Sequence, residues 1–136
     1  MFSVNYLAIV VSLIAYTVLG MLWYGPLLGK KWLRVSGMAD KDMQSPEAKK
    51  AQKSGYISSL ISSFIAILTL AVFMRRMGVN DALGGLFTGA VAGFGLIAMT
   101  LVGEAAWHDH PWALVAINSG YRICGLAIAG LIIGLW

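Results

Sequence analysis

The sequence predicts an all-α integral membrane bundle of four transmembrane helices, and three observations predict it. Hydrophobic residues make up 59% of the chain and charged residues only 12%, about half the charged share of a soluble domain. The charges are gathered so that four runs, 1–29, 54–74, 82–103 and 111–136, carry none except Arg122 in the last. Each run exceeds the ~20 residues needed to cross a ~30 Å hydrocarbon layer. The expected spans are therefore about 5–24, 54–76, 82–106 and 111–135, in a single transmembrane domain over 1–136 with a polar loop at 25–53.

The first run lacks a basic leading region and ends in Trp23-Tyr24-Gly25-Pro26. With no small-residue cleavage site, it reads as a retained span rather than a secretory signal. Ser12, Tyr16 and Thr17 are its mild polar content, and Trp23 and Tyr24 are expected as an aromatic anchor at the membrane interface. Gly25 and Pro26 should break the helix, since proline donates no amide hydrogen and disfavours helix in the residue before it. Leu27, Leu28, Trp32 and Leu33 interleave with Lys30, Lys31 and Arg34, the pattern of a short segment lying in the headgroup layer.

Ser45-Pro46-Glu47 has the marks of a helix start: a hydroxyl cap, proline at the first helical position and an acid beside the positive end of the dipole. The helix is expected to run unbroken from Pro46 into the second span, a helical extension on the cytoplasmic side. Ser58, Ser59, Ser62 and Ser63 begin that span, and as small residues they are expected to admit close helix packing. Arg75 and Arg76 followed by Gly78 should end it, with cations near the negative end of the dipole and a glycine beyond. The third span carries Gly85, Gly89 and Gly93 at four-residue spacing, and the fourth carries Gly130 and Gly134. These are the strongest helix-packing signals in the chain.

Seven of the ten basic residues, Lys30, Lys31, Arg34, Lys41, Lys49, Lys50 and Lys53, lie in the first loop. The positive-inside rule then puts loop 25–53 in the cytoplasm and both chain ends outside. The basic loop lacks interleaved aromatics beyond Trp32, so it reads as a topology signal facing anionic lipid, and nucleic acid is not an expected partner. A single cysteine, Cys124, excludes an intramolecular disulfide and reads as a small apolar packer.

The candidate site lies where the third and fourth spans meet: Glu104, His108, Asn118, Tyr121 and Arg122. Arg122 stands roughly 16 Å along its helix from Pro111 at ~1.5 Å per residue, deep enough to need a partner. At 100° per residue Gly93, Ile97, Thr100 and Glu104 share a face, and side chains of antiparallel helices lean toward each other here. The expectation is a network of Glu104, Asn118 and Arg122, with Tyr121 at its edge. Two readings stand: the network pins the hairpin, or it binds or relays an ion, proton or small anion. His108-Asp109-His110 is a poor metal site, because three adjacent turn residues do not converge on one ion. Asp109 is expected instead to cap the fourth span. No metal and no cofactor are expected, and no nucleophile elbow, phosphate loop or HExxH pattern supports an enzyme.

The opening Asn5-Tyr6, the run Leu22-Trp23-Tyr24-Gly25-Pro26, Gly29-Lys30-Lys31-Trp32, the late Ile117-Asn118-Ser119-Gly120-Tyr121 and the terminal Trp136 resemble the bacterial small membrane protein family known as domain of unknown function 1761. The resemblance covers nearly the whole chain. It implies a small multi-helix protein of the bacterial inner membrane whose activity is not established, with unusual residues concentrated at Glu104, Asn118, Gly120 and Tyr121. The expected function is an oligomeric transport or permeation unit, a homo-oligomer in contact with membrane lipids. The alternative is an accessory subunit of a larger membrane protein complex, in which the polar residues only pin the helices.

Overall fold

The computed structural model describes residues 3–38 and 43–136; Lys41, counted above in the basic loop, lies outside them. Among the described residues every regular element is helical. Four helical segments, Tyr6–Leu27, Pro46–Met77, Ala82–His108 and Trp112–Leu135, are long and apolar enough to cross a membrane. This is a multi-pass membrane protein.

The first span is α1 (Tyr6–Leu22), started by the Asn5 side chain, which accepts from the amides of Leu7 and Ala8. It ends in a π-helical turn, Trp23–Leu27, in which Gly25 leaves helical geometry at φ −107°, ψ −107°. The chain then enters α2 (Gly29–Val35), a short helix over the stretch where an interfacial segment is expected. In α3 (Pro46–Met77) Ser45 caps the Ala48 amide, and Gly78 in the left-handed conformation closes the other end.

The third span is interrupted. A π-helical turn, Gly93–Ala98, joins α4 (Ala82–Ala92) to α5 (Met99–His108). Together the 27 residues extend about 40 Å at ~1.5 Å each, longer than the ~30 Å hydrocarbon layer. Asp109 ends α5 in the left-handed conformation, and α6 (Trp112–Leu135) begins after Pro111 with no side-chain cap. Asp109 is thus the terminator of α5 rather than the cap of the fourth span. Adopting positive φ costs an aspartate less than most residues.

The central helix is α6, which lies antiparallel between α1 and α4. Against α1 the pairs run Trp23 with Ile117, Tyr16 with Gly125 and Ser12 with Ala129. Against α4 the glycines bring backbones into contact. A Cβ on Gly85 would collide with the Gly130 carbonyl, one on Gly89 with that of Leu126 and one on Gly134 with that of Asp81; one on Gly93 would stand 2.8 Å from the Ile123 Cα. Without these glycines the two helices would be forced apart.

The bundle is tight at one end and splayed at the other. The core of Ile9, Tyr16, Ile67, Leu70, Ala71, Met74, Leu126 and Ala129 lies in the half nearer the chain termini. The buried residues of α3 begin only at Ser63, and residues 53–62 are exposed all round. Of the four serines expected to pack, only Ser63 does. At this basic end α5 also diverges, meeting α6 far less than α4 does.

Candidate functional site: an arginine among tyrosines

The polar residues of α6 face α1. Asn118, Tyr121, Arg122, Gly125 and Ala129 recur at three- and four-residue steps, which places them on one stripe of the helix. Each meets a residue of the first span or of the turn that ends it. The Tyr24 hydroxyl donates to Asn118 Oδ1 at 2.8 Å, and the Trp23 indole donates to the Ile117 carbonyl at 3.0 Å. The Tyr121 hydroxyl donates to the Tyr16 carbonyl at 3.4 Å, and Arg122 Nη1 donates to the Tyr16 hydroxyl at 3.3 Å.

Aromatic rings close around these bonds. Tyr16, Tyr24 and Tyr121 stand edge to face, with Tyr121 5.0 Å from Tyr16 and 5.2 Å from Tyr24 between ring centres. Trp32 of α2 extends the row at 5.6 Å from Tyr24. The Arg122 guanidinium lies 5.4 Å from the centre of the Tyr121 ring, within range of a cation–π attraction. Close approach depends on two small residues: a Cβ on Gly20 would stand 2.9 Å from the Tyr121 hydroxyl, and one on Gly120 would stand 2.9 Å from the Trp23 ring.

The expected Glu104–Asn118–Arg122 network does not form. Glu104 is exposed, while its neighbour Ala105 is buried. The buried face of the third span runs Gly85, Gly89, Gly93, Ala98, Ala105, with a step of five where helical counting expects four. A π turn closes i to i+5 bonds and so adds one residue to the turn. That single residue moves the inward face from Glu104 to Ala105. Arg122 is accordingly neighboured by tyrosines of the first span and, among the described residues, not by a carboxylate.

Two stretches that lie far apart in sequence, Trp23-Tyr24 and Ile117 to Tyr121, thus make one site with Arg122, and both stretches carry the family resemblance. The chain matches the family of proteins of unknown function DUF1761 over residues 7–134. It belongs to that family. No curated protein and no solved structure matches it.

Elsewhere this DUF1761 protein offers little that could gather a ligand. His108 is exposed beside His110, ring centres 5.9 Å apart, and no group of three metal-ligating side chains is found among the described residues. The Ser119 hydroxyl is buried without a partner among the described residues, one turn from the Ile123 backbone that Gly93 meets. Sequence reasoning missed Tyr16, Trp23, Tyr24 and Trp32 as site residues. The signal available for Trp23, Tyr24 and Trp32 was their place in the resembling stretches; for Tyr16 it was a phenol inside an apolar run.

Proposed function

We propose that this DUF1761 protein is a small transport or permeation unit that works as an oligomer in the bacterial cytoplasmic membrane and takes an anionic substrate at Arg122. The observation that carries this reading is a guanidinium inside the spans with one tyrosine hydroxyl and one tyrosine ring for company. A guanidinium presents five donors in a planar fork suited to carboxylate or phosphate. In a medium of low polarity, the remaining donors favour an anion strongly.

The splayed end supports the same reading. Leu126 and Leu70 line one cavity together, so one turn nearer the basic end Arg122 lies level with about Ala66. That is where α3 loses its packing, since Ser63 is its last buried residue in that direction. Beyond Arg122 toward the termini, the apolar core is closed, so passage requires the helices to rock or a second copy to complete the path. The glycine faces are consumed between α4 and α6, which leaves the bare stretch 53–62 of α3 as the surface for a second copy. The basic residues of loop 25–53 support a cytoplasmic position for the open end.

The test is anion flux in proteoliposomes over a panel of chloride, phosphate and dicarboxylates. The expected result is flux in the native chain, a loss of at least tenfold in Arg122→Gln and native behaviour in Glu104→Gln. Equal flux in native and Arg122→Gln protein, with both eluting as the same oligomer, overturns the proposal. The accessory-subunit reading is favoured by one observation, the unpacked apolar face of α3 from Tyr56 to Ile61. It expects a larger membrane protein to be recovered with the chain in stoichiometric amount from mild detergent, and a homo-oligomer alone would count against it.

A further inference from the structure

We infer that the anion held at Arg122 is the head of a single amphiphile, an anionic lipid, whose acyl chain lies in the apolar groove between the second and third spans. This deepens the reading of Arg122 as an anion site and rests on it. The groove, a cavity of about 160 Å³, is lined among others by Ala66, Thr69, Phe73, Leu96 and Leu126. Thr69, Phe73 and Leu96 are exposed, so the groove opens sideways into the bilayer rather than into water.

Head and groove are joined by helix geometry. Leu126 follows Arg122 by four residues, which puts the two on the same face about 6 Å apart along the axis. Along α3 the groove runs from Ala66, level with Arg122, to Phe73 on the terminal side, away from the interface marked by Trp23 and Tyr24. Trp23 and Tyr24 meet Ile117 and Asn118, about one turn from Arg122, so a lipid of the leaflet at the basic end that sets its head there directs its chains to the bilayer centre. The exposed cations Lys30, Lys31 and Arg34 on α2, joined to the site through Trp32 and Tyr24, raise the local density of anionic heads. A soluble anion uses the guanidinium and ignores the groove; only an amphiphile uses both.

The test is native mass spectrometry of the detergent-purified chain with dioleoyl-phosphatidylglycerol, dioleoyl-phosphatidylcholine or inorganic phosphate. The expected result is one phosphatidylglycerol retained with at least tenfold preference over phosphatidylcholine and not displaced by millimolar phosphate. Arg122→Gln should abolish the preference and Arg122→Lys should keep part of it. Thr69→Trp, on the exposed rim where folding is not at stake, should fill the groove and weaken binding about tenfold. Full displacement by inorganic phosphate, or unchanged lipid binding in Thr69→Trp, overturns the amphiphile. No preference for phosphatidylglycerol over phosphatidylcholine, with soluble-anion flux still lost in Arg122→Gln, would leave the transport reading standing while overturning this one.

Discussion

At the scale of single residues, the site is held by bonds of modest worth around a charge of large consequence. Tyr24→Phe removes the hydroxyl that donates to Asn118 and leaves the amide unpaired; the expected cost is about 0.5–1.5 kcal/mol, read as a lowered unfolding midpoint in detergent. Glu104→Gln, on an exposed position, is expected to change stability by no more than about 0.5 kcal/mol. A large loss in that variant would restore the ion pair that the fold excludes. The contrast between Glu104 and Tyr16 explains why this site was only half legible in the sequence. Asn118, Tyr121 and Arg122 stand out because polar groups in an apolar run are rare. Helical spacing points to a partner on the span adjacent in sequence, whereas α6 presents its polar stripe to α1, and nothing in local spacing tells which neighbour a central helix will face.

At the scale of elements, the glycine contacts and the two π turns divide the work between closure and departure. Gly89→Ala places a methyl against the Leu126 carbonyl, and since this is backbone rather than a yielding side chain, a cost of about 1–3 kcal/mol is expected. Gly95→Ala, whose Cβ would meet nothing within 4 Å, is the control and should be neutral or slightly stabilising. Comparison of the two midpoints in one detergent checks both. Span limits, the Ser45 cap, the unbroken α3 and the Gly78 terminator follow from rules of capping and hydropathy that act within a few residues. The π turn does not, because the extra residue is taken up where the span packs, beside the tertiary contact of Gly93 with Ile123. One such residue suffices to turn every later position by about 100°, which is why Ala105 and not Glu104 faces inward.

At the scale of the whole molecule, the chain is a wedge, closed near its termini and open at its basic end. Spin labels on Ile57 of α3 and Trp107 of α5, both exposed, should report a broad separation that narrows when substrate or lipid binds. Labels at Met77 and Leu135, across the closed end, should report one separation in every condition. Equal widths at the two ends would remove the wedge as a moving part. The basic residues of loop 25–53 add a directional expectation: a thiol introduced at Ser36 should react with an impermeant reagent only in opened cells.

The length of the third span sets one more property. Its run of about 40 Å carries Trp107, His108, His110 and Trp112 past the rim of a hydrocarbon layer of ~30 Å. Such mismatch is relieved by tilt or by a thicker bilayer, at a fraction of a kcal/mol per ångström. Wedge opening alters tilt, so acyl-chain length becomes a control on the resting angle of the helices. Reconstituted in a series of phosphatidylcholines, the protein should hold its open end widest in short-chain lipid and draw upright as the chains lengthen, making membrane thickness itself a setting for how readily the site is reached.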